Sequence, residues 1–311
     1  MNPAPPQDAS AILEELDRIH DDDPQRAAAG LRALDTRSLD DAALGTATFL
    51  LAHVLGEKLG DWNEAATLIA GALAQRPTAP QRALRNAAVA HRLAGHPDAM
   101  AWQERLATAG KTTAAATALV VDLHALAFSP AQADPQAFAA RLLGLADRAR
   151  ALPSAGELDT ALAAGLNNAT SALLDATTEA PTPAQAAALR AGAEAARAAW
   201  GRTGGWVQHE RADYLLALVL NRCGDAAGAL EAATRGLALI AAHGEEEVDR
   251  AFLLLQAASA HAQREDRAAA LAALSSGQSI AQSWSDEGLR AWFADELGKA
   301  PGLAALLGSA P

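Results

Sequence analysis

The stretch LGDWNEAA at residues 59–66 decides the fold of this chain. A helical pattern precedes it, breaks at the small and polar residues, and then resumes with paired alanines. A helix–turn–helix unit that recurs along a chain is the signature of a helical solenoid. We therefore predict a chain of repeated helical pairs. The pattern returns at three further places, which are CGDAAGAL at 223–230, EDRAAAL at 265–271 and, in a weaker form, AGHPDAM at 94–100.

The composition agrees with an all-helical chain. Of the 311 residues, 50% are hydrophobic and only 4% are aromatic, and alanine supplies much of the hydrophobic share. Alanine is the strongest helix former, and its small side chain lets helices approach closely. β-Branched residues are sparse and rarely alternate with polar ones, so no strand is predicted.

The single cysteine, Cys223, excludes an internal disulfide and a cysteine-rich metal site.

The charge balance argues against two classes of partner. A formal net charge of −12 disfavours non-specific binding to nucleic acid or to an anionic membrane. No uninterrupted apolar window reaches about 18 residues, and the proline-rich start carries no leader pattern. Arginine is the commonest basic residue and alanine the commonest hydrophobic one, a bias typical of a high-GC bacterial genome. We expect a bacterial, cytoplasmic protein that binds neither membrane nor nucleic acid.

Prolines and glycines divide the chain into segments. We expect a disordered tail at 1–8, N-terminal and middle repeats at 9–203, C-terminal repeats at 206–297, and a cap or tail at 298–311. Gly204-Gly205 is expected to be the most flexible junction. After a first helix that begins near Ser10, the predicted helical spans are 24–35, 39–59, 62–75, 79–94, 97–109, 112–128, 134–151, 156–178, 183–202, 206–223, 225–243, 245–264, 266–284 and 286–297.

Three copies of the pattern resemble the tetratricopeptide repeat. They lie at 47–80, 210–243 and 251–284, and each places small residues on both helices around a Gly-Asp-type turn. The resemblance is weak between 112 and 202. The residues that carry it are Ala52-His53, Gly60-Asp61-Trp62, Glu64-Ala65, Ala72-Leu73 and Pro77 in the first copy, Leu216-Ala217, Gly224-Asp225, Ala229-Leu230 and Gly236-Leu237 in the second, and Ala257-Ala258, Asp266, Ala270-Leu271 and Gly277 in the third.

The resemblance implies a fold and a general mode of action. The expected fold is all-α, a right-handed superhelical array of antiparallel helix pairs, with about seven pairs and irregular middle repeats. In proteins of this kind the first helix of each pair lines a concave groove that holds a peptide. A fold alone does not specify one activity, so the site has to carry the functional argument.

Three predicted first helices have polar and basic faces, and these faces are the candidate lining of the groove. Residues three, four or seven positions apart share one side of a helix. Arginine offers a planar donor fork that suits carboxylates, and asparagine can donate to and accept from a peptide backbone at once. The alternative is that these residues form solvated faces with local ion pairs. The candidate peptide-binding residues are Arg82, Arg85, Asn86, Arg92, Asn167, Asn168, Arg211, Tyr214, Asn221 and Arg222.

Catalytic and metal-binding patterns are weak. The eight histidines include no His-x-x-x-His pair, so we expect no metal site and no cofactor, and we interpret the histidines as packing residues. His91, Asp122 and His124 would indicate an enzyme only if they converged within hydrogen-bond range. No phosphate-binding glycine loop and no nucleophile elbow is present.

Three functions remain open, in order of preference. The first is a non-enzymatic scaffold that binds an acidic peptide or protein segment in a concave groove. The second is a regulator or sensor that binds a small molecule or a signalling peptide, which an enclosed pocket would favour. An enzyme is the least favoured. Self-association through an uncapped end of the array is a further expectation.

Overall fold

The computed structural model describes residues 9–74 and 76–308, and the tail predicted at 1–8 lies outside them. Every regular element in that part of the chain is helical, as the sequence predicts. Two short 3₁₀ turns occur at Thr36–Ser38 and Gly156–Leu158. The helices are α1 Ala9–Ile19, α2 Pro24–Ala33, α3 Asp41–Leu50 with a π-helical continuation at Leu51–Lys58, α4 Trp62–Leu73, α5 Gln81–Leu93, α6 Ala99–Ala109, α7 Ala114–Ala127, α8 Pro135–Ala151, α9 Asp159–Asp175, α10 Pro183–Thr203, α11 Trp206–Arg222, α12 Ala226–His243, α13 Glu247–Gln263, α14 Arg267–Ser283, α15 Glu287–Lys299 and α16 Leu303–Gly308.

The chain forms two compact units. Unit 1 is the chain up to Pro130 together with Leu152–Leu158, and unit 2 is Ala131–Ala151 together with the chain from Asp159. In unit 1, α3 packs on α5 and α5 on α7, so successive first helices are neighbours. In unit 2, α9 contacts α11 and α11 contacts α13 in the same way. The predicted all-α fold of packed helical pairs is confirmed, whereas the right-handed superhelix remains a prediction.

Four of the turns between helices share one backbone device. Gly60, Gly95 and Gly224 have φ values of 76°, 65° and 74°, in the left-handed region. Glu265 holds the same conformation with φ 61°. Only glycine adopts this conformation without a steric cost from its own Cβ atom, which explains the residue type at three of the four turns.

An aspartate after the turn residue starts the next helix. The Asp61 carboxylate accepts a hydrogen bond from the backbone N–H of Glu64 at 2.9 Å, and Asp225 accepts one from Gly228 at 3.0 Å. Asp266 accepts a hydrogen bond in the same way at the next turn. A side chain in this N-cap position satisfies a donor that the helix leaves unpaired, and contributes about 1 kcal/mol. The repeated Gly-Asp pair therefore ends one helix and begins the next.

Small residues hold neighbouring helices close together. A Cβ atom on Gly236 would lie 2.8 Å from Leu253, and one on Gly277 would lie 3.1 Å from the carbonyl oxygen of Ala251. Gly236 belongs to the copy at 210–243 and Gly277 to the copy at 251–284. Both positions are therefore close helix contacts, and their small size is a packing requirement.

The predicted helical spans agree with the structure, and the predicted domain boundary lies inside one unit. Gly204-Gly205 separates α10 from α11, but those two helices pack on each other within unit 2. The division into repeats at 9–203 and 206–297 remains a prediction. The last three residues of the tail predicted at 298–311 lie outside the described residues. Earlier in that tail, Leu303 and Leu306 on α16 are buried against the core around Phe252.

The left-handed turns predict opposite effects for one substitution at two sites. Gly224 and Gly144, within α8, both have open space where a Cβ would lie, but only Gly224 has a positive φ. We expect Gly224→Ala to lower the free energy of unfolding by about 1 kcal/mol, because alanine is strained there. Gly144→Ala should raise it by about 0.5–1 kcal/mol, because alanine is the better helix former. Chemical denaturation measures both, and equal signs would contradict the assignment of the turn.

Candidate functional site

A pocket of about 620 Å³ in unit 2 collects four of the candidate residues. It lies between α9, α11 and α15. Its volume falls within the range of pockets that enclose a small ligand or a few side chains of a peptide. The lining residues are Asn167, Ser171, Leu174, Asp175, Thr177, Thr178, Arg211, Tyr214, Leu215, Leu218, Arg222, Trp292, Asp295, Glu296 and Lys299.

Helical spacing explains why these side chains meet. On α9, Asn167, Ser171 and Asp175 follow one another at intervals of four residues and so share one face. The opposite side of α9 carries apolar residues that are buried in unit 2, Leu162 and Leu166 among them. Burial of that apolar side leaves the polar side facing the pocket. The same periodicity places Arg211, Tyr214, Leu218 and Arg222, four of the five pocket residues of α11, on one face of that helix.

The pocket wall combines aromatic surface with charged groups. Trp292 is 46% exposed, and its ring centroid lies 4.2 Å from that of the buried Phe252. Tyr214 packs edge-on against Phe252 at 6.0 Å. Burial, followed by the nearby acidic side chains, raises the pKa of Tyr214, so its hydroxyl stays protonated. An indole that is supported from behind and half open to solvent is a suitable surface for an apolar side chain.

Both arginines of the pocket have donor capacity to spare. Arg211 donates from Nε to Asp249 at 2.9 Å, and its Nη2 lies 3.9 Å from Glu246. Arg222 donates from Nη2 to the carbonyl oxygen of Thr177. A guanidinium carries five N–H donors, and the hydrogen bonds found among the described residues use only part of them. Their fixed positions beside an aromatic wall favour recognition of a carboxylate.

The acidic side of the pocket is formed by α9 and α15. Lys299 is held by Asp295 at 2.5 Å and by Glu296 at 2.9 Å, and these contacts raise the pKa of the ammonium group. Desolvation in the pocket, then the charge of Glu296, raises the pKa of Asp175. The two arginines of the pocket come from α11, whereas its acidic groups come from α9 and α15, where Lys299 pairs with two of them. This arrangement suits a ligand that carries both charges, as a peptide does.

Two of the candidate asparagines serve the fold instead. Asn86 is 3% exposed and donates to Thr48 Oγ1 at 3.0 Å and to the carbonyl oxygen of Gly45. Asn221 is 1% exposed and donates to both Gln256 oxygens at 3.0 Å, while Gln263 donates to its Oδ1 at 2.9 Å. Each asparagine joins neighbouring first helices. The expectation that they face a groove is corrected by this burial.

The remaining candidates lie apart from the pocket. Asn168 is exposed on α9 and does not line it. The other three candidates belong to unit 1. There Arg82 lies over the Phe49 ring at 5.6 Å, and Arg92 pairs with Asp122 at 2.8 Å. Arg85 is half-buried, its Nε atom has no hydrogen-bond partner in the described part of the chain, and burial lowers its pKa.

The candidate catalytic histidine His91 has a packing role. Its Nδ1 contacts the carbonyl oxygen of Ala87 at 2.8 Å, and Trp102 donates to its Nε2 at 3.0 Å. Burial lowers its pKa, which favours the neutral ring that can accept from Trp102. Both ring nitrogens are therefore engaged, as expected for a structural histidine.

A second cavity in unit 2, of about 430 Å³, is less suited to a ligand. Its buried Asp213 accepts hydrogen bonds from Arg197 at 2.6 Å and from Arg235 at 2.9 Å. Both arginines that line this cavity are engaged within the protein, Arg197 by Asp213 and Arg235 by Asp213 and Glu231. A buried carboxylate held in this way is structural, because removal of either partner would leave it undercompensated.

Helical periodicity missed the contribution of α15 to the pocket. Trp292, Asp295, Glu296 and Lys299 line it, whereas the sequence predicts for this stretch only a helix at 286–297 followed by a cap or tail, with no site residue. Their spacing of three and four residues marks one helix face, but it does not reveal which other helices that face meets. That spacing was the local signal in the sequence, and the exposure of the Trp292 indole is seen only in the structure.

A buried glutamate lies directly behind Arg211. Glu210 is fully buried, and neither of its carboxyl oxygens has a hydrogen-bond partner among the described residues. The nearest guanidinium atom, Arg211 Nε, is 3.6 Å from Glu210 Oε1. Burial, and then the charge of Asp249, raises the pKa of Glu210 strongly. This carboxyl group is therefore held in its neutral form over a wide pH range.

Comparisons with known proteins find distant structural neighbours, RapI and a tetratricopeptide repeat protein among them. No family model and no curated protein matches the chain. The crystal structure of the apo form of RapI aligns over 96% of this chain and 84% of its own, with 10% identity and a TM-score of 0.44. A tetratricopeptide repeat protein from Parabacteroides merdae aligns over 94% and 98%, with 13% identity and a TM-score of 0.26. The helical-repeat assignment rests on the paired helices and turns of this chain itself.

The buried carboxyl group predicts a pH-dependent stability. The folded state holds the Glu210 proton more tightly than the unfolded chain does, so this residue destabilises the protein increasingly as the pH rises above about 4.3. Glu210→Gln should remove that dependence, so its gain in the free energy of unfolding relative to wild type should grow by up to about 1.4 kcal/mol per pH unit between pH 5 and pH 8. Thermal unfolding at both pH values measures the gain. A difference between the two proteins that does not change with pH would contradict a protonated Glu210.

Proposed function

We propose that this protein binds a short peptide segment, in a non-enzymatic role, in the pocket between α9, α11 and α15. The observation that carries the proposal is that Asn167, Arg211, Tyr214 and Arg222 line one pocket together with the exposed face of Trp292. The segment presents a carboxylate beside an apolar side chain. The carboxylate pairs with the guanidinium of Arg222 or Arg211, and the apolar side chain packs on the indole.

The chemistry of the wall supports a peptide over a purely apolar ligand. Asn167 is half-buried and carries both an amide donor and an acceptor, which can pair with one peptide group of the ligand. The acidic residues of α15 and Asp175 provide partners for a cationic group. The pocket volume favours a few residues over a long extended chain. This supports the signalling-peptide regulator, the second of the functions left open by the sequence, as well as a scaffold that binds a short motif.

The expectations about origin, location, enzymatic activity and self-association remain predictions. Among the described residues, no helix combines the length and apolar character needed to cross a membrane. A bacterial origin, a cytoplasmic location, the lack of enzymatic activity and self-association through a terminal helix are proposals that rest on sequence arguments.

A peptide array with free and amidated C-termini tests the proposal. We expect the protein to bind short peptides that place a carboxylate next to a leucine or phenylalanine. Peptides whose carboxylate is neutralised should not bind. Arg222→Gln should weaken the selected peptide about 10- to 100-fold, because it removes a charge-assisted hydrogen bond. Fluorescence anisotropy with the labelled peptide gives the dissociation constants.

Two further variants separate binding from folding. Asn167→Ala removes a half-buried amide that has no hydrogen bond in the described structure, so it should weaken binding and leave stability nearly unchanged. Arg264→Gln replaces an exposed arginine outside the pocket and should bind like wild type. Equal affinity for wild type, Arg222→Gln and Asn167→Ala would reject the pocket as the binding site.

A further inference from the structure

Two histidines and an aspartate converge in unit 1, at the turn that joins α1 to α2. His20 Nε2 lies 3.5 Å from Asp21 Oδ2, and His53 Nε2 lies 3.7 Å from Asp21 Oδ1. One ligand atom from each of the three residues lies within 4.8 Å of the others. Ligands at the corners of a tetrahedral zinc site are about 3.3 Å apart, given metal–ligand bonds of about 2.0–2.1 Å. A small closure of the observed group would therefore form a metal site.

The second nitrogen of each imidazole is already engaged. His53 Nδ1 contacts Glu57 Oε2 at 2.5 Å, and His20 Nδ1 contacts the carbonyl oxygen of Asp17. Both partners are hydrogen-bond acceptors, so each ring carries its proton on Nδ1 and presents the lone pair of Nε2. Metal-binding histidines are oriented by this kind of contact to a carboxylate or a backbone carbonyl. The two free lone pairs point toward the same aspartate.

Local structure holds the rings in place. His53 stacks on Phe49 with an interplanar angle of 8° and a centroid distance of 5.5 Å. His53 and Glu57 both lie in the π-helical segment Leu51–Lys58. Such π-helical turns are rare and often occur at functional sites. The side chains of His20 and His53 are 17% and 19% exposed, whereas that of Asp21 is 69% exposed, so solvent reaches the group from the aspartate side.

We propose that His20, Asp21 and His53 bind a divalent first-row transition-metal ion of the zinc class. Imidazole and carboxylate ligands suit Zn²⁺, and three protein ligands leave at least one position for water. Lys58 donates to Asp21 Oδ1 at 2.7 Å and occupies the aspartate in the metal-free protein. The metal ion replaces the ammonium group of Lys58 on that carboxylate. The bound ion then joins the α1–α2 turn to the π-helical segment.

The sequence predicts no metal site, because no two histidines stand at ligand spacing on one helix. His20 and His53 are far apart in the sequence, and only the packing of α1 against α3 and its continuation brings them together. The adjacent pair His20-Asp21 was the local signal, but a dipeptide of this kind is too common to indicate a ligand set without its third member.

A zinc titration against a chromogenic chelator tests the site in the full-length protein. We expect one equivalent of Zn²⁺ to bind to wild type, and His20→Gln and His53→Gln each to lower the association constant by at least about 100-fold. Glu57→Gln leaves all three ligands in place and should lower it about 10- to 100-fold by freeing the His53 ring. Lys58→Gln should raise it, because the competing cation is removed. Co²⁺ in place of Zn²⁺ should give a visible ligand-field spectrum that His20→Gln abolishes.

His243→Gln is the matched control, because His243 is an exposed histidine of unit 2 outside the group. It should bind Zn²⁺ like wild type. Circular dichroism shows whether each variant is folded. If His53→Gln unfolds, His20→Gln still tests the site, because His20 lies in the turn after α1 and its replacement should leave the helices intact. The proposal is overturned if wild type fails to bind Zn²⁺ at millimolar concentrations, or if His20→Gln and Glu57→Gln bind it with wild-type affinity.

Discussion

The left-handed turn followed by an aspartate N-cap is the constraint on which the pairs α3/α4, α11/α12 and α13/α14 depend. At Gly60-Asp61 and Gly224-Asp225 the turn residue reverses the chain, and the aspartate satisfies the first free N–H groups of the next helix. The reversal aligns two helices side by side, where alanine and glycine allow close contact. Without this turn the apolar faces of the two helices would have no common partner, and short alanine-rich helices gain most of their stability from packing.

The position of the candidate pocket follows from this arrangement. Because successive first helices in unit 2 are neighbours, α9 and α11 place polar faces next to each other. The aromatic side chains of α15 then attach to Phe252 on α13, which brings Trp292 and Lys299 to the same space. A groove between two helices becomes a pocket with a third wall. The enclosed volume favours a short segment as the ligand.

Helical periodicity predicted the elements well, because hydrophobic spacing and turn residues are local signals. It placed Arg211, Tyr214 and Arg222 on one face of α11, and the structure has them around one pocket. It could not distinguish these residues from Asn221, which directly precedes Arg222. A first helix contacts the preceding first helix on one side and the following one on the other, and spacing alone does not show which polar residues are buried in those contacts. The amide of Asn221 meets Gln256 and Gln263 of the next first helix, a contact that depends on the tertiary arrangement.

Sites formed by residues that are distant in the sequence could not be predicted from the sequence, because only tertiary packing brings those residues together. The group of His20, Asp21 and His53 depends on the π-helical segment, which shifts the direction of every side chain it contains by a fraction of a turn. Regular α-helical spacing does not describe those directions. The burial of Glu210 was equally hidden, because a glutamate beside Arg211 on a helix is normally a solvated residue.

Hydrogen–deuterium exchange with and without a bound peptide would show whether the pocket is where the peptide binds. We expect slower backbone exchange confined to residues 159–178, 206–222 and 287–299, because a ligand in the pocket contacts α9, α11 and α15 and stabilises them against local opening. Protection that falls on α5 of unit 1 instead, or no protection at saturating peptide, would contradict the pocket as the functional site of this protein.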